Sequence, residues 1–232
     1  MNSAHDLTIV TIGLNNDYSL EKTYDSIKEV LKLGAKWCVV LSEISSESDY
    51  LKSAHLISGK DSGLYNALNI GIDNVKTKYF MFIHSGDMLI NVGAFKKSFQ
   101  LFEKFELDLV LGGARLGSRT HLSKRWKPWM FKVLVQPPHL PIIYRRSFVS
   151  SVRFDETIPI ISDFFMLQRL FEYNPKYVHS KEVYISMALG GKTTSGISSF
   201  FLVSKEFYQF NNSLIKTMLL SLIRLLLKVV LK

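Results

Sequence analysis

Asp87, just past the buried run Tyr79–Ile83, is a carboxylate at the C-terminal end of a strand. Open α/β sheets bind ligands in the crevice beyond the carboxyl ends of their strands, so an acid there can hold a metal ion against a diphosphate. Gly86-Asp87 is also an ordinary turn dipeptide, and by itself it reads first as one. His84 ends the same run; as a ligand its imidazole favours Mn²⁺, and otherwise it hydrogen-bonds locally. Asp163 follows Ser162 and opens a helical pattern with Phe164, Leu167, Leu170 and Phe171. A carboxylate in a first turn suits the helix dipole, and a simple cap has the same appearance.

These side chains need a scaffold, and the hydrophobic pattern supplies one. Upstream of Asp87 the polar turn around Asp61 and Gly63 leads into a helix with Leu64, Leu68 and Ile72 at i, i+4 and i+8. Leu7–Ile12, Trp37–Leu41 and His55–Ile57 read as strands, and Leu20, Tyr24, Ile27 and Leu31 share one helical face between the first two. A helix over 93–105 and a strand over 107–111 follow. Strand and helix thus alternate as a mostly parallel sheet requires. Residues 112–141 are basic, with Trp126, Trp129 and Phe131 interspersed, and read either as a mobile surface loop or as a wall contacting an acceptor.

The segment Lys60, Asp61, Gly63, Leu64, Tyr65, Asn66, Ala67, Leu68, Asn69, Gly71, Ile72, followed by His84-Ser85-Gly86-Asp87, resembles the core of family 2 glycosyltransferases, in particular small bacterial enzymes of surface-polysaccharide assembly. Tyr144-Arg145-Arg146, Phe154-Asp155-Glu156 and the turn Gly190–Ser195 extend the resemblance over roughly 7–195. It implies a GT-A fold, that is, a mostly parallel central sheet flanked by helices, and an inverting transfer from a nucleotide diphosphate sugar, with a UDP-sugar expected. It implies Asp163 as catalytic base, and Asp87 as ligand of Mg²⁺ or Mn²⁺, with His84 and His139 as further metal candidates. Donor contacts are implied for Asn15, Ser42, Glu43, Asp61, Gly63, Asn66, Asn69 and Arg146. Two positions depart from the pattern: Ser42 stands where relatives carry an Asp that helps hold the nucleoside, and His84 takes the first place of the metal motif.

Composition narrows the field further. With 232 residues, 47% of them apolar, the chain can build one sizeable core. The single Cys38 excludes an internal disulfide and a Cys-rich zinc site. No G-x-S-x-G elbow or Walker loop is present, which removes hydrolase and kinase readings. A net charge of +9 without a recognition helix argues against nucleic acid and for an anionic membrane surface. The polar start MNSAHD carries no secretory pattern, so a cytoplasmic location is expected.

Residues 213–232 form the second unit after a 1–212 catalytic domain. LIKTMLLSLIRLLLKVVLK is strongly apolar but carries Lys216, Arg224, Lys228 and Lys232, the last three spaced by four. The pattern is that of a basic amphipathic C-terminal helix lying in the headgroup layer of a membrane, and the family resemblance implies its inner face and a polyprenyl-linked or oligosaccharide acceptor there. The alternatives are a helix docked on the core or on a homodimer partner. Two rival functions remain open: a degenerate sugar-nucleotide-binding or membrane-peripheral relative, and a sugar-phosphate nucleotidyltransferase. The second lacks its Gly-rich basic loop after the first strand.

Overall fold

Residues 7–12 are buried without interruption, and a strand covered on both faces must lie inside a layered α/β sheet. The computed structural model describes residues 4–15, 18–44, 48–59, 61–122, 126–188, 202–208 and 222–223. In it β1 (Leu7–Gly13) lies between β2 (Lys36–Leu41) and β4 (Tyr79–Phe82), and β3 (His55–Ser58) flanks β2, all four parallel. The helices α1 (Tyr18–Lys32) and α2 (Leu64–Asn74) make the crossovers. Helix α2 packs close because Gly71 has no side chain: a Cβ there would stand 2.5 Å from Val10 Cγ1.

The second half is mixed rather than parallel. After β5 (Met88–Leu89) and α3 (Val92–Lys104), β6 (Leu109–Leu116) pairs antiparallel with β7 (Arg119–Leu122) and β8 (Ile142–Arg145), and parallel with β9 (Tyr177–Met187). β8 closes against β4 antiparallel, giving the order β3-β2-β1-β4-β8-β6-β9-β5, with β7 beside β6. The short α4 (Arg146–Val149) and α5 (Ser162–Glu172) complete the set.

The described residues of the basic stretch, 112–122 and 126–141, are built rather than a free loop. They continue β6, turn back as β7, and form a 3₁₀ turn at Pro128–Val133. Trp126 is their anchor: the indole is buried, donates to the Val135 carbonyl at 3.0 Å, and packs edge-on against Phe131 and Phe171. Trp129 alone of the three expected wall aromatics is exposed. The Gly190–Ser195 turn and residues 213–232, apart from 222–223, lie outside the described residues.

Candidate active site

Parallel pairing brings the ends of β1, β2, β3 and β4 to one edge, and the first residues past each end assemble there. Ser85 N–H donates to the Ile12 carbonyl at 2.9 Å and Ser42 N–H to the Gly13 carbonyl at 3.3 Å, so the loops after β4 and β2 are both fixed to β1. Asn15 is half-buried on this edge and Glu43 is exposed beside it, its N–H on the Leu14 carbonyl.

Asp87 is buried, at 6% exposure. Its Oδ1 accepts the Ala188 N–H at 2.8 Å, and it has no ion pair among the described residues. Burial pushes its carboxyl up to about 6, opposed by backbone N–H groups of Ala188 and His84. The turn itself is held from α1. Thr23 Oγ1 donates toward the carbonyls of Asp87 at 2.9 Å and His84 at 3.3 Å, and accepts the Gly86 N–H at 2.9 Å.

His84 is driven to the neutral form, its imidazole depressed to about 3 by burial and secondarily by His139. Its Nδ1 is buried without a hydrogen-bond partner. The His139 ring lies 5.8 Å away, centroid to centroid, and its Nδ1 is 3.4 Å from Asp163 Oδ2. Burial lowers His139 against the pull of the Asp163 carboxylate.

Asp163, in the first turn of α5, is held on two sides. Gln136 Nε2 donates to Oδ2 at 2.7 Å, and the Tyr65 hydroxyl stands 3.5 Å from Oδ1 while bonded to the Ile160 carbonyl at 2.5 Å. Burial, with Asp163 next in effect, raises the Tyr65 phenol well above its usual range, so it stays protonated. Gln136 Oε1 is buried and unpartnered.

Asp61 lies at the mouth of the β2–β3 crevice. Its Oδ1 accepts from Ser42 Oγ at 3.1 Å and Gly63 N–H at 3.2 Å, while Oδ2 is buried with no partner. Gly63 holds φ 139°, a conformation that side-chain-bearing residues rarely adopt.

Three other sequence candidates have different surroundings. Asn69 gives Nδ2 to the Phe154 carbonyl at 3.0 Å and Glu156 Oε1 at 2.8 Å, and its Oδ1 takes the Phe154 N–H at 3.0 Å. Asn66 Nδ2 reaches Glu156 Oε2 at 2.9 Å, so both amides pin residues 154–156 to α2. Arg146 is not brought to this edge. Because β8 runs antiparallel to β4, Arg145 pairs with Tyr79, the first residue of β4, and Arg146 bonds Lys76 and Lys78 carbonyls at the opposite end of the sheet. Thr23 and Gln136 were not expected from sequence; their partners are 64 and 27 residues away, with no local pattern to reveal them.

Among the described residues no three His, Cys, Asp or Glu side chains gather as a ready-made metal cage. The donor set nevertheless fits a divalent cation that arrives with a diphosphate: such ions take one or two carboxylates plus phosphate oxygens and water. A buried carboxylate with no cationic side chain paired to it among the described residues, Asp87, is the observation behind this fit, since burying an unpaired charge is costly.

Fold and edge together define the GT-A class of α/β architecture, a curled and largely parallel sheet flanked by helices. No family model matches the chain, and no curated protein matches it in sequence. Solved structures do. S. aureus TarS 1-349 is similar with a TM-score of 0.61 and 14% identity over 87% of this chain, which spans 65% of that one. The same TarS fragment in complex with UDP-GlcNAc gives 0.60 at 14% identity, covering 87% of this chain and 66% of that one. Glucosyl-3-phosphoglycerate synthase from Mycobacterium tuberculosis, with Mn²⁺, UDP and phosphoglyceric acid, gives 0.63 at 15% identity, covering 88% and 77%. The chain thus spans somewhat under two thirds of the TarS fragment, and these similarities establish the fold.

Proposed function

We propose that this protein is an inverting glycosyltransferase that moves a sugar from a UDP-sugar to a lipid-linked or glycan acceptor in surface-polysaccharide assembly, on the inner face of a bacterial membrane. The supporting observation is that three acids from separate segments, Asp61 and Asp87 in loops and Asp163 in the first turn of α5, are held at one side of a GT-A sheet by dedicated partners. Several of the structural neighbours have UDP or a UDP-sugar bound, and some of these also Mn²⁺ or Mg²⁺.

Each acid has a distinct task. The unpartnered Asp61 Oδ2 accepts a ring N–H of the base, with Ser42 and Gly63 fixing the carboxylate and Asn15 and Glu43 lining the approach. Asp87 would hold the metal, with the neutral His84 imidazole three residues before it and His139 beside His84. A divalent cation bound there would offset charge on the leaving diphosphate without proton transfer. Asp163 accepts the acceptor hydroxyl's proton as that oxygen attacks the anomeric carbon from the face opposite the diphosphate. Such general-base help is worth ~10²–10⁴ in rate. Gln136, donating Nε2–H to Oδ2, orients the Asp163 carboxylate, while Tyr65 anchors the turn before it through the Ile160 carbonyl.

The test is thermal shift with UDP, UDP-glucose and UDP-N-acetylglucosamine, with and without Mn²⁺, followed by UDP release on wild type, Asp87→Ala and Asp163→Asn. We expect Mn²⁺-dependent stabilisation in wild type that Asp87→Ala loses, and loss of turnover without loss of donor binding in Asp163→Asn. Binding without UDP release in wild type would leave a non-catalytic sugar-nucleotide binder. Wild-type turnover in Asp87→Ala would remove the metal assignment.

A further inference from the structure

Beyond the cluster of acids, one buried carboxylate remains unused. Glu206 comes from the segment 202–208, far along the chain from α5, yet its Oε2 accepts the N–H groups of Ile161 at 2.9 Å and Ile160 at 3.2 Å. It is 6% exposed. Those two N–H groups belong to the residues that lead into α5, where backbone donors have no partner inside the helix and the dipole favours a negative charge. Residue 161 is the N-cap and its own side chain provides no cap, so Glu206 supplies from a distance what the local sequence lacks.

The same short turn carries Asp163 two residues on, and its other face is held by Tyr65 on the Ile160 carbonyl. Phe207 secures the strap: it is 1% exposed, and its ring meets those of Phe164 at 5.0 Å and Phe165 at 6.1 Å, the two residues following Asp163. Val203 is buried as well. The turn is therefore clamped between α2 and the 202–208 strap, with one peptide group, that of residue 160 and its neighbour, gripped from both sides.

We infer that Glu206 is a positioning residue: by capping α5 from the 202–208 strap it sets the place and direction of the Asp163 carboxylate. This rests on the reading of Asp163 as the base. A shift of about 1 Å in a catalytic group can cost 10²-fold in rate, so a cap that fixes the turn affects kcat while leaving the nucleotide crevice, built from β1 to β4, alone.

The full chain is compared as wild type, Glu206→Ala, Glu206→Gln and Glu206→Asp, with Asp163→Asn as control. The first readout needs no substrate. Amide hydrogen exchange in a peptide spanning 158–165 should accelerate at least tenfold in Glu206→Ala and stay near wild type in Glu206→Gln, which retains an acceptor oxygen. The second uses UDP release from UDP-glucose or UDP-N-acetylglucosamine with Mn²⁺: kcat falls at least tenfold in Glu206→Ala, donor KM stays within twofold, and Glu206→Gln recovers most of the loss. If Glu206→Ala does not fold, Glu206→Asp, whose carboxylate is drawn back by one methylene, is judged by the same measures. Unchanged exchange over 158–165 overturns the capping. Unchanged kcat alongside an inactive Asp163→Asn overturns the positioning role, whereas full activity in Asp163→Asn removes the base assignment and leaves the exchange result standing.

Discussion

Asp87 carries its carboxylate into a place with one N–H on Oδ1 and no cation partner among the described residues, and its titration follows from that. Burial raises it from 3.8 to about 6. A raised acid favours the fold in its protonated form; that contribution is complete below the unfolded value and is lost as pH climbs through the folded one. In chelator, then, the stability of wild type relative to Asp87→Asn should fall between pH 4 and pH 7, a difference from which the opposite pH dependence of the buried His84 cancels. At pH 7.5 the Asn variant should be more stable than wild type by up to roughly 3 kcal/mol, since one pKa unit is 1.36 kcal/mol. Denaturant unfolding at several pH values measures it; a wild type no less stable than Asp87→Asn at pH 7.5 would show that burial does not raise this carboxylate. Residues of this kind were legible because type and position coincide: an acid after a strand, or in a first helical turn. Thr23, Gln136 and Glu206 were not, because a buried polar side chain is explained only by its partner, and theirs lie far away in sequence.

At the scale of elements, β1 to β4 and α2 could be read because each is a local hydrophobic period, and a parallel unit needs strand and helix in alternation. β9 was harder. Its eleven residues, YVHSKEVYISM, are mostly half-buried and mix charge with apolar side chains, so no clean alternation marks the strand. The basic stretch 112–141 hid a hairpin for a related reason: its order depends on Trp126 reaching Phe171 in α5. The family resemblance implied nucleotide contacts for Asn66 and Asn69, and the geometry gives them another task, joining α2 to residues 154–156. The two tasks predict different losses. Asn69→Ala strands the N–H and carbonyl of Phe154, and unsatisfied buried groups cost ~1–3 kcal/mol each. Its urea midpoint should fall by the equivalent of about 2–4 kcal/mol with an unchanged m value, while donor affinity, measured where the variant is still folded, stays within a few-fold. The reverse pattern, stable fold with lost affinity, would return Asn69 to the nucleotide.

For the whole molecule, the net charge of +9 and the apolar residues of 213–232 pose one question: which surface attracts them. Among the described residues no helix is long and apolar enough to cross a membrane. Three basic residues spaced by four in the tail, Arg224, Lys228 and Lys232, would fall on one side of a helix, with Leu, Ile and Val on the rest. Each CH₂ entering the acyl boundary contributes ~0.8 kcal/mol and each basic residue near anionic lipid ~1 kcal/mol, so partial burial of several side chains suffices to hold the protein at the interface. The electrostatic share is screened within a Debye length of ~8 Å at physiological salt, so binding should weaken as salt rises. The deletion that tests this has to begin beyond Tyr208, because Val203, Glu206 and Phe207 are buried against the rest of the fold and their loss would disturb α5. Removing 213–232 should therefore abolish co-sedimentation with liposomes containing anionic lipid and leave nucleotide binding intact. Equal pelleting of the full and shortened chains would assign the tail to the protein's own core or to a second copy, and a loss of nucleotide binding on deletion would show that the tail also supports the site.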